Sequence, residues 1–162
     1  MDVFYDIDGT LAKAGHRLHF IEKEPKDWDA FLSDDQMAMD TAIPETWEIL
    51  TGLLGDRHAR IIFITGRPEK QRQATVMWLL TDGCKYRRRA FTYWDNRLPG
   101  RPALYMRQDN DRRPSHIVKE EGLMRARADG FNPTLVFEDR KLDAEMWRRN
   151  GLLCCQVAEG NY

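Results

Sequence analysis

The sequence predicts one α/β domain in which a mostly parallel β-sheet lies between two layers of helices. Three observations support this fold class: five short apolar runs typical of buried strands, four stretches of helical periodicity among them, and a length of 162 residues of which 42% are hydrophobic. Strands that alternate with helices along a chain form parallel sheets covered on both faces. A chain of this length suits one domain with a single hydrophobic core.

The strand predictions depend on short runs rich in β-branched and aromatic residues, and on the turn residues that end them. Gly9 follows the first run, and Gly66 and Pro68 follow the second. The pair Asn150 and Gly151 is a helix-stop signal directly before the last run. The five runs cover residues 2–7, 60–65, 103–107, 134–138 and 152–157.

The helix predictions depend on apolar residues that recur every three or four positions. Trp47, Leu50 and Leu53 follow this spacing in the first stretch. Pro44 and Pro68 stand at the start of the first two stretches, where proline is favoured because the first N–H groups of a helix have no partner in it. The four predicted helices cover residues 44–54, 68–81, 114–128 and 141–149.

Two segments lack a clear period, at about 12–42 and about 84–102. We interpret the first as a small cap or lid insertion and the second as a basic loop that faces the substrate. Neither contains an internal repeat or a low-complexity stretch. The chain is therefore expected to be one domain over residues 1–162, interrupted only by these two segments.

The formal net charge of −1 conceals an uneven distribution of charge. Residues 1–84 contain 9 Lys and Arg against 15 Asp and Glu, whereas residues 85–127 contain 12 against 5. The centre of the basic region, Lys85 and Arg87 to Arg89, would attract an anionic partner, and the aromatic residues Tyr86, Tyr93 and Trp94 beside it could stack on bases. A solvated surface loop is the alternative interpretation.

The bulk composition argues against membrane and disulfide-stabilised classes. No apolar run approaches the roughly 20 residues of a membrane span, and no signal sequence follows Met1. Three cysteines, Cys84, Cys154 and Cys155, match neither a disulfide framework nor a zinc-ligand pattern, so we expect them to be reduced. The protein is therefore expected to be cytoplasmic and to have no membrane partner.

Polar residues follow three of the predicted strands. In open parallel sheets, ligands collect at the carboxyl ends of the strands. Asp6 and Asp8 end the first strand, Thr65 ends the second, and Glu138 and Asp139 end the fourth. Residues far apart in the sequence are thus expected to meet at one edge of the sheet.

The segment from Asp6 to Thr10 places two carboxylates two positions apart, directly after a strand. Asp6 suits attack on phosphorus, provided that a Mg²⁺ ion neutralises the phosphoryl oxygens that it approaches. Asp8 can protonate the leaving oxygen and then accept a proton from the attacking water. Gly9 allows a tight turn whose amides face a phosphate, and Thr10 adds a hydroxyl. The alternative is an Asp-Gly turn with unrelated charges.

Three further segments offer groups for the same chemistry, each with a plainer interpretation. Thr65 and Gly66 can donate hydrogen bonds to a phosphoryl oxygen, but they also suit a simple strand-turn. Lys119 can stabilise the charge that develops in phosphoryl transfer, although most lysines on helices lie at the surface. Glu138 and Asp139 are hard oxygen ligands for Mg²⁺, but an isolated acidic pair is a weak signal.

Together, these segments resemble the haloacid dehalogenase (HAD) superfamily of phosphotransferases. Within it, four motifs are similar to the 3′-phosphatase domain of bacteriophage polynucleotide kinase: DIDGTLAKAGHR, ITGRPE, LYMR followed by DRRPSHIVKEE, and FEDR followed by MWRRNGLLCCQVAEGNY. The resemblance extends over nearly the whole chain. It implies a Rossmann-like, three-layer HAD fold, and it makes a phage or bacterial origin plausible, in which case the host cytoplasm is the expected location.

The resemblance also implies roles for particular residues. The nucleophile and the acid/base would be Asp6 and Asp8, and Lys119 would stabilise charge. Arg17 and Arg67 would contact phosphate or nucleic acid, and Arg113 also matches the family. With Gly9, Thr10 and Gly66, inferred above from the residues themselves, these arginines complete the predicted substrate-binding group, and Thr65 joins the catalytic group. The Mg²⁺ ligands would be Asp6, the Asp8 carbonyl and one of Glu138 and Asp139. In one departure from the phage family, Ser115 and His116 stand where that family has two carboxylates.

The sequence contains no G-x-x-x-x-G-K-[ST] loop, so no kinase activity is predicted for it. The leading functional hypothesis is a phosphatase that removes phosphate from a nucleotide or a nucleic-acid 3′ end. The first alternative is a 5′- or 3′-mononucleotidase. The second is an inactive nucleic-acid-binding module, which the presence of both Asp6 and Asp8 disfavours.

Overall fold

The computed structural model of the protein describes residues 1–54, 58–86 and 103–160. Five strands form one sheet: β1 (Asp2–Tyr5), β4 (Arg60–Pro68), β5 (Ala103–Arg107), β6 (Pro133–Arg140) and β7 (Leu153–Gly160). Their order across the sheet is β5-β4-β1-β6-β7, and each neighbouring pair is parallel. All five were predicted from the sequence, and the α/β fold class is confirmed.

Helices cover both faces of this sheet because the side chains of a buried strand alternate between its faces. In β1, Val3 and Tyr5 pack in the cluster that contains Trp47, whereas Phe4 packs in the cluster that contains Trp147. The helices of the domain are α3 (Pro44–Leu54), α4 (Arg72–Tyr86), α5 (Ser115–Ala128) and α6 (Lys141–Arg149). Each face therefore has its own core, and the three-layer arrangement is confirmed.

The helix predicted from Pro68 begins four residues later than expected. Strand β4 continues through Pro68, which pairs with Arg107 of β5, and a 3₁₀ turn at Glu69–Gln71 precedes α4. Proline fixes φ near −65°, a value that is compatible with both a helix start and an extended strand. The proline signal alone could not distinguish between these two structures.

Residues 12–42 contain short elements that the sequence pattern did not reveal. Two short strands, β2 (Ala12–Lys13) and β3 (Thr41–Ala42), pair antiparallel. Between them lie a 3₁₀ helix at Gly15–Phe20 and two short helices, α1 (Trp28–Phe31) and α2 (Asp34–Ala38). Of the predicted basic loop at 84–102, residues 84–86 belong to the end of α4, and the remainder lies outside the described residues.

Within the described ranges, no helix is both long and apolar enough to cross a bilayer. Cys154 and Cys155 are free, as expected.

Asp2 connects three strands at the amino end of the sheet. Its carboxylate accepts hydrogen bonds from Arg60 Nε and Nη2, both at 2.6 Å, and from the Asn132 amide at 2.6 Å. Burial alone would raise the pKa of Asp2, but these hydrogen bonds hold it below the ordinary value. The carboxylate therefore stabilises the fold in its ionised form.

We expect Asp2→Asn to lower the free energy of unfolding by about 1–2 kcal/mol at pH 7. Because the folded-state pKa is depressed, this contribution is present above the unfolded pKa of about 4 and is lost as pH falls through the folded-state value. Urea unfolding of both proteins at pH 7 and at pH 3 measures the difference, with the exposed Glu22→Gln as a control. If Asp2→Asn lowered the free energy of unfolding by the same amount at pH 7 and at pH 3, this prediction would be wrong.

Candidate active site

The site lies at the carboxyl end of the sheet, where β1 leads into a tight turn. The Asp6 amide donates to the Phe137 carbonyl at 3.1 Å, so Asp6 continues the pairing of β1 with β6. Gly9 has a φ of 82°, a conformation that favours glycine. The amides of Leu11 and Ala12 then bind the Ile7 carbonyl, both at 2.8 Å. This turn directs Asp6 and Asp8 into the same cavity.

Lys119 is the centre of a buried cluster of carboxylates. Its Nζ lies 2.8 Å from Asp6 Oδ1, 2.7 Å from Glu138 Oε2 and 3.0 Å from Asp143 Oδ2. Burial alone would lower the pKa of Lys119, but the charges of Asp143, Asp6 and Glu138 raise it well above its ordinary value. Lys119 is therefore a fixed positive charge beside Asp6, not a surface lysine.

Asp143 is the carboxylate partner of Lys119 that the sequence did not reveal. Ser115 donates a hydrogen bond to Asp143 Oδ2 at 2.8 Å, the same oxygen that contacts Lys119. Although burial raises the pKa of Asp143, the charge of Lys119 and the two hydrogen bonds lower it overall. Ser115 cannot supply the charge expected at its position, but it orients a carboxylate from α6 that does.

Glu138 is held at both carboxylate oxygens. Oε2 accepts from Lys119 Nζ and from Trp147 Nε1, at 2.7 and 3.0 Å. Oε1 accepts from the amides of Asp139 and Arg140, at 3.2 and 3.3 Å. Four donors therefore fix the orientation of this side chain inside the core.

Asp8 lies against two buried arginines. Arg67 Nε and Nη2 donate to the two oxygens of Asp8 at 2.9 and 2.6 Å, and Arg17 Nη2 donates to Oδ1 at 2.5 Å. Burial alone would raise the pKa of Asp8, but the charges of Arg67 and Arg17 hold it well below the ordinary value. Asp8 is therefore a carboxylate at neutral pH in this structure.

Asp40 bridges the same two arginines from the opposite side. Arg17 donates to both of its oxygens at 2.8 Å, and Arg67 Nη2 donates to Oδ2 at 2.8 Å. Arg17 also donates to the Phe31 carbonyl at 3.0 Å and packs over the Phe31 ring. Asp8 and Asp40 thus form one cluster with the two arginines, in which two carboxylates face two guanidinium groups.

The predicted phosphate contacts Arg17 and Arg67 have no exposed surface. Their hydrogen bonds go to Asp8, Asp40 and Phe31, and only Arg67 Nη1 has no partner among the described residues. A phosphate group would reach the other nitrogens only by displacing these carboxylates. In the structure, the two arginines orient Asp8.

The other predicted substrate-binding residues occupy three different environments. Thr65 is buried and its hydroxyl accepts from the Arg67 amide at 3.2 Å, while Thr10 is buried 3.5 Å from Asp6 Oδ2. Gly66 lines the cavity. Arg113 also lines it, but its guanidinium binds Asp111 and Glu121, each at 2.7 Å.

Asp6, Glu138 and Asp139 form a group of carboxylates that suits a metal ion. One oxygen from each lies within 4.8 Å of the others, and all three residues are buried. Burial raises the pKa of Asp6 well above its ordinary value, and the charge of Glu138 raises it further. A divalent cation would offset this repulsion, and hard oxygen donors are those that Mg²⁺ prefers. The donors present therefore fit Mg²⁺, with the Asp8 side chain turned instead toward its arginines.

A cavity of about 400 Å³ opens above these groups. Its lining includes residues from the 12–42 segment, from residues 66–71 and from residues 107–115. The catalytic candidates that line it are Asp6, Asp8, Lys119, Glu138 and Asp139.

Three important side chains were missed by sequence reasoning. Asp40 lies in the aperiodic 12–42 segment, where no motif pointed to it. Asp143 and Trp147 had a usable signal, since they lie four residues apart on the face of α6 that carries buried residues. An acid on the buried face of a helix requires a partner, and here that partner is Lys119.

Solved structures with the same fold include a chain of an RNA repair complex, an acid phosphatase and a haloacid dehalogenase-like hydrolase. One chain of the Pnkp1/Rnl/Hen1 RNA repair complex aligns with a TM-score of 0.71 and 23% identity, over 99% of this chain but 43% of that chain. A class C acid phosphatase from Bacillus anthracis with tungstate bound has a TM-score of 0.60 and 15% identity, over 99% of this chain and 67% of its own. A haloacid dehalogenase-like hydrolase, SP0104 from Streptococcus pneumoniae, has a TM-score of 0.58 and 14% identity, over 98% and 85%.

These structural likenesses show the fold, and the family model shows the family. The model of the polynucleotide kinase PNKP phosphatase domain matches residues 1–162. The chain therefore belongs to the polynucleotide kinase PNKP phosphatase-domain family and is a phosphatase of the HAD type.

Proposed function

We propose that this phosphatase is Mg²⁺-dependent and removes phosphate from nucleic-acid 3′ ends through an aspartyl-phosphate on Asp6. The observation that carries the proposal is the contact between Asp6 and Lys119 at 2.8 Å, inside a group of three carboxylates that suits a metal ion. The preference for 3′ ends is supported by the family and by the fold shared with a chain of an RNA repair complex.

In the first step, a carboxylate oxygen of Asp6 attacks phosphorus, and the bond from phosphorus to the leaving oxygen breaks. Lys119 neutralises charge beside the phosphoryl group, and Asp8 in its protonated form donates a proton to the leaving oxygen. Water then attacks the phosphoryl group while Asp8 accepts its proton, and Asp6 is released. When bound, Mg²⁺ would be held by Asp6, Asp139 and the Asp8 carbonyl, and would neutralise phosphoryl oxygens.

The arginine cluster suits a residue that changes its protonation state. In the structure, Arg67 and Arg17 hold the pKa of Asp8 below its ordinary value, and the ionised form that results is the one that the proposed mechanism requires to accept a proton from water. When Asp8 is protonated, Asp40 still accepts hydrogen bonds from both Arg17 and Arg67, so each buried cation keeps an anionic partner while the cluster carries a net charge of +1. Asp40 thereby lets Asp8 gain a proton without leaving two buried cations unpaired.

Asp139 is the better candidate for direct metal binding, because four donors already bind the oxygens of Glu138. We expect Asp139→Asn to raise the half-saturating Mg²⁺ concentration by about 100-fold or more, and Glu138→Gln by about tenfold. Ca²⁺ should not replace Mg²⁺, since its longer bonds and irregular geometry do not suit in-line attack. Titration of the activity of both variants with Mg²⁺, and of the wild-type protein with Ca²⁺, tests these two expectations. A larger rise in the half-saturating Mg²⁺ concentration for Glu138→Gln than for Asp139→Asn would make Glu138 the direct ligand.

Gly160, at the end of β7, leaves the space that the Asp139 carboxylate occupies. A Cβ at this position would lie 2.1 Å from Asp139 Oδ2 and 3.3 Å from Arg140 Cα. We expect Gly160→Ala to displace Asp139 and to raise the half-saturating Mg²⁺ concentration about tenfold or more. Gly52→Ala is the matched control, because a Cβ there meets nothing within 4 Å. Equal Mg²⁺ requirements in the two variants would show that Asp139 is not the ligand.

A mononucleotidase is the second candidate function. It is favoured by the cavity wall that residues 12–42 contribute, which we propose acts as a lid over the site. Comparison of kcat/KM for 3′-phosphorylated oligonucleotides, 3′-mononucleotides and 5′-mononucleotides separates the two functions. A higher kcat/KM for the oligonucleotide supports 3′-end repair, whereas a preference for mononucleotides supports the alternative.

A further inference from the structure

The lining of the cavity above Asp6 combines apolar and basic side chains that the proposed chemistry does not use. The 12–42 segment contributes the apolar side chains of Ile21, Trp28 and Leu32. Lys70 and Arg112 also line the cavity, and both are exposed. The scissile phosphate group requires neither the apolar nor the exposed basic side chains, because the groups at the base of the cavity already suit it.

The two aromatic residues of α1 have different environments. Phe31 is 5% exposed and packs beneath the Arg17 guanidinium, whose central carbon lies 4.4 Å from the ring centroid. Trp28 is half-buried, lines the cavity and contacts Phe31 edge-on, with the ring centroids 5.8 Å apart. Phe31 therefore supports the arginine cluster, whereas Trp28 is an aromatic surface that a ligand can reach.

Lys70 and Arg112 lack anionic partners within the part of the chain that the structure describes. Across the described residues, neither the Lys70 ammonium nor the Arg112 guanidinium has a hydrogen bond or ion pair, whereas the neighbouring Arg113 is neutralised by Asp111 and Glu121. Exposed cations beside a phosphate-binding cavity attract further phosphate groups.

We propose that the cavity recognises the terminal nucleoside of its substrate at two places besides the scissile phosphate. The base packs against Trp28, and the phosphate on the 5′ side of the sugar binds Lys70 and Arg112. Stacking on an aromatic side chain suits any base, and a 5′ phosphate is present in a polynucleotide end but absent from a nucleoside 3′-monophosphate. This inference rests on the proposed function and names the substrate features that this site selects.

The base contact is tested with two 3′-phosphorylated oligonucleotides that differ only in whether the last residue has a base or is abasic. We expect Trp28→Ala to lower the ratio of kcat/KM for the base-bearing end over the abasic end by about tenfold or more, through KM. Trp28→Phe should retain most of this ratio. The control is Met39→Ala, an exposed apolar residue that lines a different surface depression.

The phosphate contact is tested with a nucleoside 3′-monophosphate and the matching 3′,5′-bisphosphate. In the double variant Lys70→Ala, Arg112→Ala, we expect the preference for the bisphosphate to fall about tenfold and the salt dependence of oligonucleotide KM to flatten by about 0.7 per lost contact. Lys13→Ala is the control, because Lys13 is an exposed cation beside Met39, outside this cavity.

Equal losses on base-bearing and abasic ends in Trp28→Ala would overturn the base contact, because they would identify Trp28 as structural support for the 12–42 segment. Equal losses on the mono- and bisphosphate would overturn the phosphate contact. If the wild-type protein hydrolysed only 5′-nucleotides, the proposed 3′ specificity would fail. The Trp28 ratio would then be measured on a 5′-nucleotide against ribose 5-phosphate, where an unchanged ratio would still overturn the base contact.

Discussion

Asp6→Asn is expected to abolish phosphate release and the covalent phosphoenzyme, with a loss of at least about a thousandfold in kcat. An amide is a much poorer nucleophile than a carboxylate, and it also removes one charge from the group that suits Mg²⁺. Asparagine is close in size, and Lys119 would keep Glu138 and Asp143 as partners, so the fold should survive. The measurement is single-turnover phosphate release together with acid-quench trapping of phosphoenzyme from a labelled substrate.

Circular dichroism and thermal unfolding of the Asp6 variant serve as the control for folding. Asp129→Asn, a change at an exposed aspartate at the end of α5, should leave turnover unchanged. Turnover near the wild-type rate in a folded Asp6→Asn protein would remove this residue from the mechanism.

Asp8→Asn should lower kcat by about 10²–10⁴-fold on substrates with poor leaving groups, such as a nucleoside 3′-phosphate. The loss should be much smaller on a nitrophenyl phosphate, since its leaving oxygen departs without a proton. The nucleophile Asp6 remains intact, so phosphoenzyme should still form from the nitrophenyl substrate. The measurement is kcat for both classes of substrate over a range of pH.

Asp40→Asn is the matched control for Asp8, because Asp40 binds the same two arginines but does not line the cavity. Asp40→Asn keeps the Asp8 carboxyl group and removes only a partner of Arg17 and Arg67, so its loss in kcat on substrates with poor leaving groups should be smaller than that of Asp8→Asn. If Asp8→Asn slowed both classes of substrate equally, Asp8 would not be the acid for the leaving group.

The sequence alone predicted the features that depend on short stretches of chain. Four strands of the sheet are runs of mostly buried residues, and the fifth, β7, follows the helix-stop pair Asn150 and Gly151, so the five strands were identifiable locally. The carboxylates Asp6 and Asp8 were also identifiable, because a strand followed by an Asp-Gly turn places both at the carboxyl edge of a parallel sheet. The motifs further indicated the family that the whole-chain model matches.

Only the tertiary structure decided which side chains support these residues, because their partners come from distant positions. Asp40 reaches Arg17 and Arg67 from 23 and 27 positions away, and nothing in its local sequence distinguishes it from a surface aspartate. Asp143 supplies the carboxylate beside Lys119 that Ser115 lacks, and only the packing of α5 against α6 brings them together. Local sequence determines which elements form, whereas buried charges are paired by the three-dimensional packing of those elements, since each must find a partner wherever the chain brings one.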